Sequence, residues 1–193
     1  MSTAGGALER LLWNGLHPGV YSLSESEVGA RLVPVVGKET VLLFQLDDPH
    51  DELRHAEPKG TQICDGLFFY QRKKKAHPWL LFFELKRGHD FEHAVAQLAS
   101  AIRLLFRGLH ARCSPRGIHA VVVSGVVSPP DTQLLQKQFR DELRTHKIKA
   151  SLGFVPCSLK GVADLREELM SRVQPVPAEV EGQGKGIDGL DDE

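Results

Sequence analysis

Three ionisable residues near the middle of the chain have types and a spacing that suit phosphodiester hydrolysis. Asp65 lies in the segment ICDGLFFY, and Glu84 and Lys86 lie in the later segment LLFFELKRG. Both segments are rich in apolar and aromatic residues, where charged groups are costly to desolvate unless a cation neutralises them. Lys86 supplies one positive charge, and a divalent metal ion can supply the rest. We therefore take these three residues as candidate catalytic residues.

The two segments are predicted to form a β-hairpin, whose register decides whether the carboxylates meet. Thr61–Tyr70 and Trp79–Lys86 are strand-like runs separated by the basic stretch QRKKKAHP. Symmetric closure about that stretch places Asp65 opposite Glu84, with Cβ atoms about 5 Å apart on one face. Lys86 shares the face because side chains alternate along a strand. An ordinary ion pair bridging an edge strand is the alternative interpretation.

Two carboxylates that share a face can hold a hard divalent cation. The Asp65 and Glu84 oxygens, the backbone carbonyl of Leu85 and water molecules would give Mg²⁺ or Mn²⁺ a near-octahedral shell. The cation would polarise a phosphoryl oxygen and activate a bound water. The Lys86 ammonium would stabilise the developing negative charge or orient the nucleophile. The residues therefore predict Mg²⁺ or Mn²⁺ as the cofactor.

Basic residues at the tip of the hairpin are candidates for nucleic-acid binding. Clustered cations contact phosphates without reading the base sequence, and a merely soluble turn is the alternative. The four residues are Arg72, Lys73, Lys74 and Lys75.

Two acidic residues nearer to the N-terminus are candidates for an additional metal ligand. Glu9 and Glu27 both fall in predicted helices, where a solvated helix face is the alternative for each. His89 and His93 have the spacing that two zinc ligands on a helix would use, but the sequence offers no evident third ligand.

Hydrophobic periodicity predicts one α/β domain over residues 1–173, with a mixed sheet flanked by helices. A Ser24–Glu27 capping box predicts the second helix. The predicted elements, in order, are helices over Ala4–Leu16 and Ser24–Leu32, strands over Val41–Leu46, Thr61–Tyr70 and Trp79–Lys86, a helix from Asp90 to near Gly108, a strand over Ile118–Val123, a helix from Asp131 to His146, a strand over Ser151–Cys157, and a final helix with Val162, Leu165, Leu169 and Val173 on one face.

Composition and charge limit the class of protein. The 193 residues are 41% hydrophobic and 25% charged, which excludes wholesale disorder, collagen-like repeats and a coiled coil. No apolar run reaches the length of a membrane helix, and no secretory signal is evident. We therefore expect a cytoplasmic protein that does not bind membranes, with Cys64, Cys113 and Cys157 as reduced, buried thiols.

The last 20 residues differ in composition from the rest. Residues 174–193 contain six acidic residues and one lysine, with two prolines and four glycines, so we predict a disordered acidic tail. The remaining chain is then net positive, which is compatible with a nucleic-acid partner.

The segments ICDGLFFY, LLFFELKRG and DFEHAVAQL resemble the PD-(D/E)xK nuclease superfamily, which has the fold of restriction endonucleases, Holliday-junction resolvases and RecB-type nucleases. They are similar in particular to small bacterial members with the pattern CD, hairpin, ELKG and a helix carrying QL. The resemblance implies a restriction-endonuclease-like core of α-β-β-β-α-β order. The predicted C-terminal helix, strand and helix would come after this core.

The resemblance also implies roles for individual residues. Asp65 and Glu84 would be metal ligands, Lys86 the catalytic lysine, and Gln97 the helix glutamine that positions the lysine or the DNA. Cys64 stands at the position of the proline that names the superfamily. Where RecB-like members carry a tyrosine four residues after the glutamine, this chain has Ala101.

We therefore expect a metal-dependent nuclease that hydrolyses phosphodiester bonds in DNA. A non-catalytic or partner-dependent nuclease-fold subunit, which binds nucleic acid or protein, is one alternative. A hydrolase of another phosphate ester is a second, because a fold does not fix a function. A homodimer or a larger defence or repair complex is compatible with this chain length.

Overall fold

The strands of the described residues form two mixed sheets, and helices join several of them. This computed structural model describes residues 15–25, 27–48, 62–72, 76–113, 115–125, 129–157 and 161–172. The strands are β1 (Ser22–Glu25), β2 (Val28–Arg31), β3 (Thr40–Gln45), β4 (Gly66–Gln71), β5 (Trp79–Lys86), β6 (Gly117–Ser124), β7 (Ser151–Pro156) and β8 (Gly161–Asp164). The helices in the described residues are α1 (Phe91–Cys113), α2 (Thr132–Thr145) and α3 (Arg166–Arg172).

The larger sheet has the strand order β3-β4-β5-β6-β7. Strands β3, β4 and β5 are antiparallel, whereas β5, β6 and β7 run parallel. Parallel neighbours need crossover connections, which α1 and α2 provide. The smaller sheet has the order β1-β2-β8, with β1 antiparallel and β8 parallel to β2. The α/β class predicted from the sequence is confirmed.

Each face of the larger sheet is covered by a different layer. Leu80 and Phe82 of β5 pack with α1 and α2, whereas Leu81 and Phe83 pack with β2, β8 and α3. This division follows from the alternation of side chains along a strand. Glu84 continues the row of Leu80 and Phe82, so it lies on the helix-covered face.

The predicted hairpin register is confirmed. Gly66 lies opposite Phe83, and Tyr70 lies opposite Trp79. Strand β4 begins at Gly66 rather than at residue 61, so Asp65 directly precedes the strand. The same register continued by one position puts Asp65 opposite Glu84.

The predicted helix over Ser24–Leu32 is wrong. This segment forms the hairpin of β1 and β2, with Glu27 in the turn at a φ of 83°. The side chains of Val28, Ala30 and Leu32 are buried at a spacing of two, whereas that of Arg31 is exposed, which is the period of a strand. The capping-box spacing is only a local signal, and burial against the larger sheet overrides it.

Three other predicted boundaries are wrong. Helix α1 continues through Gly108 to Cys113, because one glycine costs a helix interior only about 1 kcal/mol. Val162 lies in β8, so the last helix begins only at Arg166. Leu16 pairs with Phe44 in an isolated bridge rather than ending a helix.

The rest of the predicted N-terminal helix and the predicted acidic tail, residues 174–193, lie outside the described residues. Among the helices of the described ranges, none combines the length and apolar content needed to span a membrane.

Polar contacts attach α3 to the larger sheet. The buried His119 of β6 lies with Nε2 2.8 Å from Glu168 Oε1 on α3 and with Nδ1 2.7 Å from Ser151 Oγ on β7. A Cβ atom at Gly153 would overlap the Glu168 carboxylate, so this glycine lets the helix approach. Burial of a histidine with both ring nitrogens bonded stabilises the layer without an unpaired polar group.

Candidate active site

A cavity of about 250 Å³ lies at the carboxyl end of β5. Antiparallel pairing brings the start of β4, the end of β5 and the end of β3 to this edge of the sheet. Four acidic side chains therefore converge on one cavity. The lining residues are Glu25, Asp47, Asp65, Glu84, Leu85, Lys86, Arg87 and Gln97.

Asp65 and Glu84 are connected through the backbone that carries them. The Asp65 N–H donates to Glu84 Oε2 at 3.1 Å, and the Leu85 N–H donates to Asp65 Oδ2 at 2.6 Å. The carboxylate of Asp65 thus continues the hydrogen bonding of the hairpin beyond the last strand pair. Asp65 is 8% exposed and Glu84 is 2% exposed, so the two acids form a desolvated pair.

Both buried carboxyls are harder to ionise than they would be in water. Burial raises the pKa of Asp65, and the nearby charge of Glu84 raises it further. Burial also raises the pKa of Glu84, although the hydrogen bond from Lys86 opposes that shift. Without a cation the pair therefore tends to keep a proton, because one lysine only partly offsets the desolvation and repulsion of two carboxylates.

Lys86 is held between Glu84 and helix α1. Its Nζ lies 2.8 Å from Glu84 Oε1 and donates to Gln97 Oε1 at 2.8 Å. The Gln97 amide in turn donates to the Ile63 carbonyl at 3.2 Å. An ammonium group has three N–H donors, so one is left to face the cavity. Gln97 lies against the strand as expected for a residue that positions the lysine.

Small side chains let α1 approach the sheet closely enough for this contact. Ala94 and Ala101 lie near Gln97 on the helix surface, and both are fully buried. A tyrosine ring at position 101 would hold the helix away from the strand. Ala101 therefore favours the close approach of α1.

The sequence analysis missed Asp47 and Glu25. The Leu46 N–H donates to the Asp65 carbonyl at 2.9 Å, which places Asp47 beside the pair. The sequence carried a signal for Asp47, because this residue directly follows a predicted strand. If that strand pairs antiparallel with the strand that Asp65 precedes, its end lies beside Asp65. Glu25 had no such signal, since its segment was predicted to be helical.

Two of the other candidates, Arg72 and Glu27, are described by the structure and do not line the cavity. Arg72 follows the opposite end of β4, about 20 Å along the strand from Asp65. Lys73, Lys74 and Lys75 lie outside the described residues, and so does Glu9. The Glu27 carboxylate does not line the cavity and lies 3.8 Å from Arg87 Nη2.

His89 and His93 have different neighbours in this structure. His93 Nδ1 lies 3.3 Å from the Gln62 amide nitrogen, and His89 lies edge-on to Phe91. Across the described ranges, no group of three or more histidine, cysteine, aspartate or glutamate side chains is placed to hold a metal ion.

The residues at the cavity do fit a cation that takes part of its shell from water. Asp65 and Glu84 supply two carboxylates, and the Leu85 N–H already points toward Asp65. In an extended strand the carbonyl of a residue points to the same side as its N–H, so the Leu85 carbonyl faces the same edge. Mg²⁺ is commonly bound by one or two carboxylates and several waters. It would also offset the repulsion between the desolvated acids.

Comparison of the chain with protein-family models, with curated proteins and with solved structures finds no match. A proposal of function therefore depends on the geometry of the site, on the chemistry of its residues and on the sequence motifs.

Proposed function

We propose that the protein is a metal-dependent nuclease that hydrolyses phosphodiester bonds in DNA. The observation that carries the proposal is the buried Asp65–Glu84 pair, with Lys86 bonded to Glu84 at the wall of an acidic cavity. Desolvated like charges are costly for a fold. A site that binds a cation and acts on a phosphate ester accounts for that cost.

Each residue has a distinct part in this proposal. Asp65, Glu84 and the Leu85 carbonyl would hold Mg²⁺ or Mn²⁺, which when bound polarises a phosphoryl oxygen and lowers the pKa of a water ligand. Lys86 presents its remaining N–H to the substrate oxygen on which negative charge develops. Gln97 fixes the direction of the ammonium through the 2.8 Å contact.

The choice of DNA among phosphate esters comes from the resemblance of the motifs. The test is incubation of purified protein with Mg²⁺ or Mn²⁺ and single-stranded, double-stranded or branched DNA, RNA, or a phosphate monoester. We expect metal-dependent cleavage of at least one DNA. Cleavage of RNA or of the monoester alone would reject DNA as substrate and keep the hydrolytic chemistry.

Lys86→Ala separates catalysis from cation binding. Because the lysine contacts charge that develops only in the transition state, the variant should lose single-turnover rate more than metal affinity. Arg87→Ala is the matched control, since Arg87 also lines the cavity but is 61% exposed. A Lys86→Ala protein that cleaves at the wild-type rate would remove the lysine from the proposal.

A further inference from the structure

Helix α2 carries a row of exposed cations on the face opposite its packed side. Leu135, Phe139 and Leu143 are buried against the rest of the protein. Lys137, Arg140 and Arg144 are exposed and, at helical spacing, share the outer face. We call these three residues the α2 cation row. Lys147 and Lys149, also exposed, extend the positive charge beyond the helix.

The α2 cation row is not neutralised by neighbouring acids. Within the part of the chain that the structure describes, no ion pair involves any of its three residues. Other arginines do have acidic partners at 4 Å or less. These pairs are Arg31–Asp164, Arg87–Glu27, Arg103–Glu142, Arg166–Glu39 and Arg172–Glu168. The row therefore presents three cations to solvent that are not engaged in ion pairs with described residues.

The row begins on the side of the molecule that holds the candidate active site. Helices α1 and α2 both follow parallel strands, so both begin at the carboxyl edge of the sheet, where Glu84 and Lys86 lie. Both helices also cover the sheet face to which Glu84 belongs. The row thus leads away from the cavity edge along the same layer.

The spacing of the row matches a phosphate backbone. Lys137 and Arg144 are two turns apart, about 10 Å along the helix axis. One strand of duplex DNA carries a phosphate every 3.4 Å or so of axis, so the row spans the axial rise of about three nucleotides. Lysine and arginine bind such oxygens without reading bases.

We propose that the outer face of α2 binds the sugar-phosphate backbone of the nucleic acid that flanks the cleaved bond. The inference rests on the proposed function, and it adds a binding surface that contains none of the catalytic residues. It predicts affinity that is independent of sequence and sensitive to salt.

The test is binding of a 20-base-pair DNA duplex, and of a single strand of the same length, to the full chain in a chelator, where no cleavage occurs. Replacing Lys137, Arg140 and Arg144 together with glutamine should weaken binding at least tenfold near 0.1 M salt. For the duplex, the slope of log affinity against log salt should become shallower by about 2.7, since each of the three phosphate contacts contributes about 0.9.

Single variants test whether a change of charge on α2 alters the affinity for DNA more than a change elsewhere. Asp141→Asn should tighten binding, because Asp141 is an exposed acid beside the row. Lys38→Gln should leave affinity unchanged, because Lys38 is exposed in the β2–β3 connection, away from α2. Arg140→Gln is the matched single change. Equal losses in Lys38→Gln and Arg140→Gln would show a bulk charge effect and overturn the proposal.

A folded triple variant with wild-type affinity and salt slope would also overturn the proposed α2 binding surface. If that variant still cleaves DNA, the nuclease proposal remains intact. Loss of binding in the triple variant of a protein that never cleaves would support the α2 surface and reject the nuclease. An acidic protein partner, but no nucleic acid, bound through the row would overturn the proposed occupant.

Discussion

At the scale of single residues, the Asp65 carboxyl is held at an energetic cost. Its pKa is raised by burial and by Glu84, so the folded metal-free protein disfavours the ionised form. Asp65→Asn keeps an oxygen that accepts from the Leu85 N–H and removes the charge. We expect the metal-free variant to be more stable than wild type by roughly 1 kcal/mol.

Urea denaturation near neutral pH in a chelator measures this difference. Asp131→Asn is the matched control, because Asp131 is an exposed helix cap and asparagine caps equally well. Added Mg²⁺ should stabilise wild type and not Asp65→Asn. A less stable Asp65→Asn protein would contradict the description of a crowded acidic pair.

Gln97 is expected to act through Lys86 as a positioning residue. Gln97→Ala removes the acceptor that directs the ammonium, so the lysine is left with Glu84 alone. We expect kcat to fall about tenfold with little change in KM. Gln136→Ala is the control, since this α2 glutamine also donates to a backbone carbonyl, that of Leu152, away from the cavity. Equal effects of the two changes would reduce Gln97 to a structural role.

At the scale of elements, the β4–β5 hairpin depends on a glycine beside Asp65. A Cβ atom at Gly66 would overlap the ring of Phe83, which stacks on Phe68. We expect Gly66→Ala to lower the free energy of unfolding by about 1–3 kcal/mol. It should also lower the cleavage rate, because the strand that carries Glu84 must shift.

Thermal unfolding and the cleavage rate together check this expectation. Gly88→Ala is the control, because no atom lies within 4 Å of the added carbon and its stability should stay within about 0.5 kcal/mol of wild type. A Gly66→Ala protein with wild-type stability would show that the hairpin tolerates the overlap.

A second element-scale contact ties α3 to the β2–β3 connection and β4. Glu39, whose side chain is 7% exposed, accepts from Arg166, from the Tyr70 hydroxyl and from the Val35 N–H. The hydrogen bonds from Arg166 are the main cause that lowers the pKa of Glu39 to about 2 from an ordinary 4.5. This contribution to stability is present above pH 4.5 or so and is lost as the pH falls toward 2.

Glu39→Gln should therefore lower the free energy of unfolding by roughly 2 kcal/mol at pH 7. The difference in this free energy between the variant and wild type should shrink between about pH 4.5 and 2. Urea midpoints across this range provide the measurement. Glu167→Gln, an exposed position on α3, is expected to have little effect. A pH-independent difference would show that the stabilisation does not depend on the charge of Glu39.

Local patterns predicted some elements well and others poorly. The hairpin register followed from two long apolar runs that close symmetrically, and Asp65, Glu84 and Lys86 could be placed from it. The β1–β2 hairpin could not, because Ser24 and Glu27 have the spacing of a helix cap. The positive φ at Glu27 that turns the chain leaves no clear mark in the sequence.

At the scale of the whole molecule, the second sheet is what the sequence could not reveal. Val28 of β2 pairs with Gly161 of β8, a contact between segments far apart in the chain. No periodicity within either short strand specifies that partner, and β-propensity depends on such context. This sheet brings Glu25 to the cavity, so the acidic environment of the site is a product of tertiary packing.

The measurement that tests the central claim most directly is single-turnover cleavage of an end-labelled DNA duplex across a Mg²⁺ titration. It compares wild type with Glu84→Gln and with Glu27→Gln, a matched change at a glutamate that does not line the cavity. We expect a rate that saturates with Mg²⁺ in wild type and in Glu27→Gln, and a loss of at least 100-fold in folded Glu84→Gln. Wild-type protein that shows no metal-dependent cleavage, or a Glu84→Gln protein that cleaves at the wild-type rate, would contradict the account.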